Sequence, residues 1–255
     1  MKPLHRLVTV GTDAPGGLLE LSPVLAEALA VSVGQGESPP VVLLRRQRPY
    51  VLLGPDDRRL PRLERGLAYW RRAGLPVYER VSGGSAVVLD EGCLSFAVAR
   101  PCRDLTLIRR NYEEMAAGVV AGLRELGVRA EFGRAAGSFC EGPYDLVAGG
   151  RKVAGVAQAL RGGFALVSGM VLVSQDAREV TARLEAFYEA AGQPRRLDAG
   201  AVTSLEELLG RPVSLEEVEA ALRKSFGELY RLEPAPPGQA ELERARELAR
   251  RRRVA

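Results

Sequence analysis

Cys140 and Lys152 are the residues through which this chain could do covalent chemistry. They lie in Ser138 to Gln158, SFCEGPYDLVAGGRKVAGVAQ, where Tyr144 to Val147 reads as a short strand and Gly149-Gly150 separates it from a second strand that Lys152 opens. Read as a tight hairpin, Val147 to Val153 brings a thiol-bearing loop and an ammonium together. A cysteine nucleophile acts as its thiolate, and a neighbouring cation lowers its pKa from about 8.5. Histidine is the usual base beside such a nucleophile. The single histidine here, His5, stands near the start of the chain, where termini are commonly loose. Lysine can take its place, because a desolvated lysine can itself act as a base. From composition alone Cys140 would be a small buried hydrophobe; its Gly/Pro-marked loop shifts it toward chemistry. Cys93, in the alternating run Leu94, Phe96, Val98, and Cys102, after Pro101, keep the packing role.

The elements that must position these groups follow from periodicity. A helix is expected over Gly17 to Val33, strands over Val41 to Leu44 and Tyr50 to Leu53, a helix over Leu60 to Arg72, and a short strand over Val77 to Arg80. Ser82-Gly83-Gly84-Ser85 forms a glycine loop, which lets backbone pass close to a ligand. Strands over Ala86 to Leu89 and Cys93 to Ala99 come next. Ile108, Tyr112, Met115, Val119, Leu123 and Leu126 recur at helical spacing from Thr106 to Gly127. Strands resume at Val128 to Phe132, the hairpin, and Phe164 to Val173. Beyond Gln175 come a helix over Ala177 to Ala191 and two helices started by the capping boxes Ser204-Leu205-Glu206-Glu207 and Ser214-Leu215-Glu216-Glu217. Strands and helices mix without regular alternation, so the fold class is α+β, a mixed sheet flanked by helices. The expected organisation is a catalytic unit over 1–200, a helical extension over 201–233, and a linker with a charged helix or tail over 234–255.

Composition narrows the function. The 255 residues are 46% hydrophobic and 27% charged, as in an ordinary globular protein. MKPLHRLVTV lacks a signal-peptide apolar segment, and the run from Ala165 to Val173 is too short to span a bilayer. Three cysteines without paired spacing argue against a disulfide framework or a zinc site and for a reducing cytoplasm. No metal site is expected. The net charge of +4 favours acidic protein partners, and Arg250 to Arg253 reads as a solvated tail. Without aromatic interleaving or a known module, a nucleic-acid partner is not expected. The glycine loop is neither GxxxxGK[ST] nor GxGxxG, which counts against a nucleotide.

Two motifs carry a resemblance. Cys140, Tyr144-Asp145-Leu146 and Gly150 to Gln158 are similar to a cysteine, Tyr-Asp-Leu and Gly-(Arg/Lys)-Lys-x-x-Gly-x-x-Gln pattern of the lipoate and octanoate transfer enzymes in the biotin/lipoate protein ligase superfamily. Glu79 to Gly92, ERVSGGSAVVLDEG, resembles their RxSGGxAVxxDxG loop. The similarity runs from about Leu43 to Phe226 and is greatest to the octanoyl-[glycine cleavage H protein]:protein N-octanoyltransferases, the lipoyl amidotransferases. It implies a biotin/lipoate ligase-like catalytic domain that moves an octanoyl or lipoyl group from the glycine cleavage H protein to a lysine of the lipoyl domains of 2-oxoacid dehydrogenases, through a thioester on Cys140, with no cofactor. Lys152 would bond the carbonyl oxygen and shuttle protons. Arg80, Ser82, Gly83, Gly84, Ala86, Gly155 and Gln158 would hold the acyl group, with Val87 and Val88 in the wall or core. ATP-using ligases of the superfamily carry a second arginine, a third glycine and a histidine where this chain has Glu79, Ser85 and Leu89, which counts against adenylate binding. The alternatives are an octanoyltransferase fed by acyl carrier protein, an ATP-dependent lipoate ligase, and a non-catalytic scaffold of the same fold.

Overall fold

A computed structural model describes residues 1–12 and 17–255. In chain order it contains β1 (Leu4–Val10), α1 (Ser22–Gln35), β2 (Val41–Arg45), β3 (Tyr50–Leu53), a 3-10 turn (Pro55–Arg59), α2 (Leu63–Arg72), β4 (Val77–Glu79), β5 (Val87–Leu89), β6 (Cys93–Pro101), α3 (Ile108–Met115) and α4 (Ala117–Glu125). Then follow β7 (Glu131–Gly133), β8 (Asp145–Ala148), β9 (Arg151–Arg161), β10 (Phe164–Leu172), α5 (Ala177–Ala190), α6 (Leu205–Leu209), α7 (Leu215–Leu229), β11 (Arg231–Pro234) and α8 (Gln239–Arg252). Among the described residues no helix is long and apolar enough to cross a membrane.

The strands form two sheets. The larger runs β11-β1-β2-β6-β10-β9-β8-β7 and the smaller β4-β3-β5. In the larger sheet β1 is parallel to β2 and β11, and the ladders from β2 to β7 are antiparallel. Both faces of its centre are covered, so β6 is buried from Cys93 to Ala99. Leu94, Phe96 and Val98 face a core shared with Met115, Val119, Leu222 and Phe226 of the α3/α4 and α7 layer. Ala97 and Ala99 face a second core with α1. The small sheet packs its own core against α2 and α5, around Trp70, Leu184 and Phe187. This is the mixed, helix-flanked sheet that the sequence pattern implies.

Helix ends follow local chemistry. Ser204 and Ser214 accept hydrogen bonds from the backbone N–H groups of Glu207 and Glu217, as the capping boxes require. The first helix starts later than its periodicity suggests: Gly17 to Leu21 forms turns, and Pro23, which has no N–H to satisfy, sits in the first helical turn. The long helix expected from Thr106 to Gly127 is two helices broken at Ala116. The break turns Gly118 and Gly122 of α4 onto Phe226 and Leu222 of α7, so closely that a Cβ on Gly118 would stand 2.3 Å from the Phe226 ring.

Both chain ends are packed against the body of the protein. His5 is not in a loose terminus: it is buried in β1 and stacks on Tyr230 at 3.8 Å, and burial holds its imidazole below the ordinary range. The expected linker at 234–238 begins inside edge strand β11, which pairs with β1. The charged segment after it takes the helical alternative of the expected helix or tail, and this helix docks on α1 while Arg250, Arg251 and Arg253 stay exposed. Ala245 is buried, Arg244 donates to Ser32 at 2.5 Å, and Arg252 pairs with Glu27 at 2.7 Å. This docking explains why α1 is apolar on nearly every side, since a helix covered on two faces keeps no polar one. Beyond α8, Ala255 accepts from Val77 N–H at 2.9 Å and ties the chain's end to β4.

Gly118→Ala tests the α4/α7 contact. Alanine gains about 1 kcal/mol of helix propensity, whereas forcing a methyl into a packed contact costs typically 1–3 kcal/mol. The expected outcome is a net loss of stability, read as a lower denaturant midpoint; a rise would show that the helices separate freely.

Candidate active site

Gly149 and Gly150 have φ of 57° and 78°, both left-handed, as a two-residue turn matching the twist of its strands requires. The β8–β9 hairpin they close puts Lys152 opposite Val147. Its side chain is 1% exposed and meets Asp145, 2% exposed, at 2.9 Å. The carboxylate also accepts from Gly142 N–H at 2.9 Å and Val156 N–H at 3.2 Å. The ammonium donates to the carbonyls of Phe139 at 3.0 Å and Cys140 at 3.1 Å. A lysine has three N–H donors, and here all three have acceptors.

That anchoring shapes the nucleophile loop. Cys140 has φ of 45°, a left-handed conformation costly for a residue with a Cβ. Its carbonyl and that of Phe139 are held by Lys152. The half-buried thiol points instead to the glycine loop, where Arg80 Nη2 donates to Sγ at 3.0 Å and the Ser85 N–H lies 3.4 Å away. The same Nη2 donates to the Ser85 carbonyl at 2.6 Å. Burial works against the thiolate, but the charges of Arg80 and then Lys152, with the Ser85 N–H, outweigh it and hold Cys140 below the ordinary thiol range. Cys93 behaves oppositely: burial pushes its thiol well above the ordinary range.

Close approach explains the glycines. Gly84 has φ of 100°, and a Cβ there would stand 2.7 Å from Cys140 Sγ and 2.5 Å from Arg80 Nη2. A Cβ on Gly54 would overlap the Gly84 carbonyl at 1.6 Å. The loop is held from behind by a buried network. Tyr188 Oη accepts from Ala86 N–H at 3.1 Å and donates to Asp57 Oδ1 at 2.9 Å, and Asp57 Oδ2 accepts from Gly54 N–H at 2.9 Å. Burial raises the Asp57 carboxyl despite these bonds, and burial followed by the Asp57 charge raises the Tyr188 hydroxyl.

Between the sheets lies a cavity of about 280 Å³, near the lower end of the range for small-molecule sites. Cys140, Lys152, Tyr112 and Tyr144 mark one region; Leu52, Val87, Leu89 and Met170 supply apolar wall. Tyr112 stacks on Tyr144 at 4.1 Å, and burial pushes its hydroxyl up to about 12. Of the residues expected from sequence, Cys140, Lys152, Arg80, Ser82, Gly83, Gly84 and Gly155 line the cavity. Ala86 and Gln158 do not. Ala86 is 1% exposed in the small-sheet core, and Gln158 turns to the Ile108 carbonyl at 3.4 Å. Three features escaped the sequence reading. The cation bonded to sulfur is Arg80, while Lys152 bonds the backbone; Asp145, inside the Tyr-Asp-Leu motif, is the lysine's partner; and Asp57 with Tyr188 supports the loop.

The family described as "Lipoyl protein ligase A/B catalytic domain" matches residues 23–227. An octanoyl-[GcvH]:protein N-octanoyltransferase of Geobacillus kaustophilus is 36% identical over 217 residues, covering 80% of this chain and 76% of the relative. The enzyme of that name from Anoxybacillus flavithermus is 37% identical over 230 residues, 86% of this chain and 82% of its own. A T. acidophilum protein solved with bound lipoic acid superposes with a TM-score of 0.74 at 27% identity, covering 97% of this chain and 95% of that one. A two-sheet fold, a glycine loop closed over a cysteine, and a profile match across most of the sequence converge on one assignment: this chain belongs to the lipoyl protein ligase A/B catalytic domain family.

Proposed function

We propose that this chain is an acyltransferase that moves an octanoyl or lipoyl group from a lysine of the glycine cleavage H protein to a lysine of a lipoyl domain, through a thioester on Cys140. The observation that carries this reading is the Cys140 thiol held 3.0 Å from Arg80 Nη2 beside a largely apolar cavity. The names of the relatives support the H protein as donor; the lipoyl-domain acceptor is part of the proposal.

In the first half-reaction the thiolate attacks the amide carbonyl carbon, a C–S bond forms, and the carbonyl oxygen takes up negative charge. Collapse breaks the C–N bond, and the departing lysine amine takes a proton. In the second, the acceptor's neutral amine attacks the thioester, loses its proton, and the C–S bond breaks to restore the thiolate. The sum exchanges one amide for another of similar energy, so no ATP is needed. Arg80 is poised to hold the thiolate and the developing oxyanion. With its three N–H groups engaged, Lys152 contributes through charge and by fixing the loop; to bond the substrate oxygen it must release Phe139 or Cys140.

Mixing the protein with octanoylated H protein is expected to give a hydroxylamine-sensitive octanoyl adduct on Cys140 by mass spectrometry, absent from Cys140→Ala. Labelling by octanoyl-acyl carrier protein alone would reassign the donor, and labelling that needs octanoate with ATP would make the chain a ligase. A second expectation concerns pH. Alkylation by iodoacetamide should follow a thiolate titration below the ordinary pKa of about 8.5, and Arg80→Leu should move that inflection upward by about one unit or more. An unmoved inflection would remove Arg80 from the thiol's electrostatics.

A further inference from the structure

One peptide unit of the glycine loop is gripped from both sides. The peptide between Ser85 and Ala86, residues 7% and 1% exposed, offers its carbonyl to Arg80 Nη2 at 2.6 Å and donates its N–H to Tyr188 Oη at 3.1 Å. A peptide unit is planar and trans, so its carbonyl and N–H point opposite ways and turn together. Whatever fixes the N–H fixes the carbonyl. The effect reaches the sulfur through Arg80. Nη2 carries two hydrogens in the rigid plane of the guanidinium; one goes to the Ser85 carbonyl and the other to Cys140 Sγ at 3.0 Å. Aiming the first aims the second. The Arg80 Nε gives no further hold, being buried without a partner among the described residues.

The other side of the grip is equally fixed. Tyr188, buried on α5, donates to Asp57 Oδ1 at 2.9 Å, and Asp57 Oδ2 accepts from Gly54 N–H at 2.9 Å. Arg195 lies over the Tyr188 ring at 3.9 Å, with the Asp57 carboxylate 4.0 Å from its Nη2. The tyrosine's proton is thus committed to a buried carboxylate, which leaves its lone pairs for the loop. A buried network whose members are all satisfied is rigid. Without the hydroxyl, Ala86 N–H would be buried and unpaired, which is costly. Rotation of the peptide toward another partner would relieve that cost and take the Ser85 carbonyl away from Arg80. Tyr188 does not line the cavity, so it reaches the nucleophile only through the loop.

We propose that Tyr188 is a positioning residue for the nucleophile: held by Asp57, it locks the Ser85–Ala86 peptide in the orientation that aims Arg80 at Cys140 Sγ. The inference rests on the reading of Cys140 as the nucleophile. The test is the pH dependence of Cys140 alkylation by iodoacetamide in the full chain, followed at the Cys140 peptide by mass spectrometry. The charges that face the thiol are Arg80 and Lys152, and Tyr188→Phe removes neither. It also keeps the ring that packs on Phe187. Tyr188→Phe is expected to raise the inflection by about half a unit or more, a roughly threefold loss of rate at a fixed pH below it. In an Arg80→Leu background the same substitution is expected to add nothing, because the link it works through is gone. An inflection unmoved in Tyr188→Phe, or shifts that add in the double variant, overturns the proposal. If Tyr188→Phe has lost its thermal unfolding transition, Asp57→Asn decides. Loss of a negative charge by itself would lower the inflection, so a rise supports the positioning role and an unmoved or lower inflection rejects it. Alkylation reads the thiol directly, so failure of acyl labelling overturns the thioester reading and leaves this test standing.

Discussion

The ion pair between Lys152 and Asp145 is the constraint on which the rest of the site depends. Two charges 1% and 2% exposed gain little net stability from each other, because removing both from water offsets most of the attraction. What they gain is geometry. Loss of either partner would leave an unpaired buried charge, a penalty of about 3–5 kcal/mol. The pair therefore holds its arrangement firmly, and with it the two carbonyls that Lys152 binds and the two N–H groups that Asp145 binds. One buried contact thus joins the hairpin, the residue before the nucleophile and the turn after it.

The division of labour between the cations follows from this. An ammonium whose donors are all engaged acts at a distance, through charge, whereas a guanidinium with five donors in a rigid fork can hold a backbone carbonyl and a sulfur together. Arg80 does so, bridging the glycine loop to Cys140. Because its charge arrives from the small sheet and that of Lys152 from the large one, the acidity of the thiol depends on the two sheets being correctly apposed.

What could be read from the sequence was local. Gly149-Gly150 between two short strand patterns announces its turn, Ser204 and Ser214 announce their helices, and the scarcity of histidine directs attention to Cys140 and Lys152. The contacts that complete the site join residues far apart. Arg80 and Cys140 are separated by 60 positions, and Asp57 and Tyr188 by 131. Nothing in the periodicity around Asp57 or Tyr188 distinguishes a buried hydrogen-bonding network from an exposed acid and a core aromatic. Ala86 and Gln158 were misplaced for a related reason: a motif gives the order of residues, and alternation along a strand decides which of them face the ligand. The C-terminal segment was legible as a charged helix or tail, but its docking was not, because its arginines and glutamates look solvated until α1 is seen to need a second cover.

The two sheets share no hydrogen-bonded ladder, and the cavity lies along the seam between them. Gln175, joined to the Val88 carbonyl and the Asp90 carboxylate, is one stitch across it, and Arg80 is another. A seam held by side chains can change width without unzipping a strand. The cation that rests on the sulfur stands just beyond β4 of the smaller sheet, while the ammonium that shares in the thiol's electrostatics comes from β9 of the larger, so the width of this seam sets the charge that the nucleophile feels.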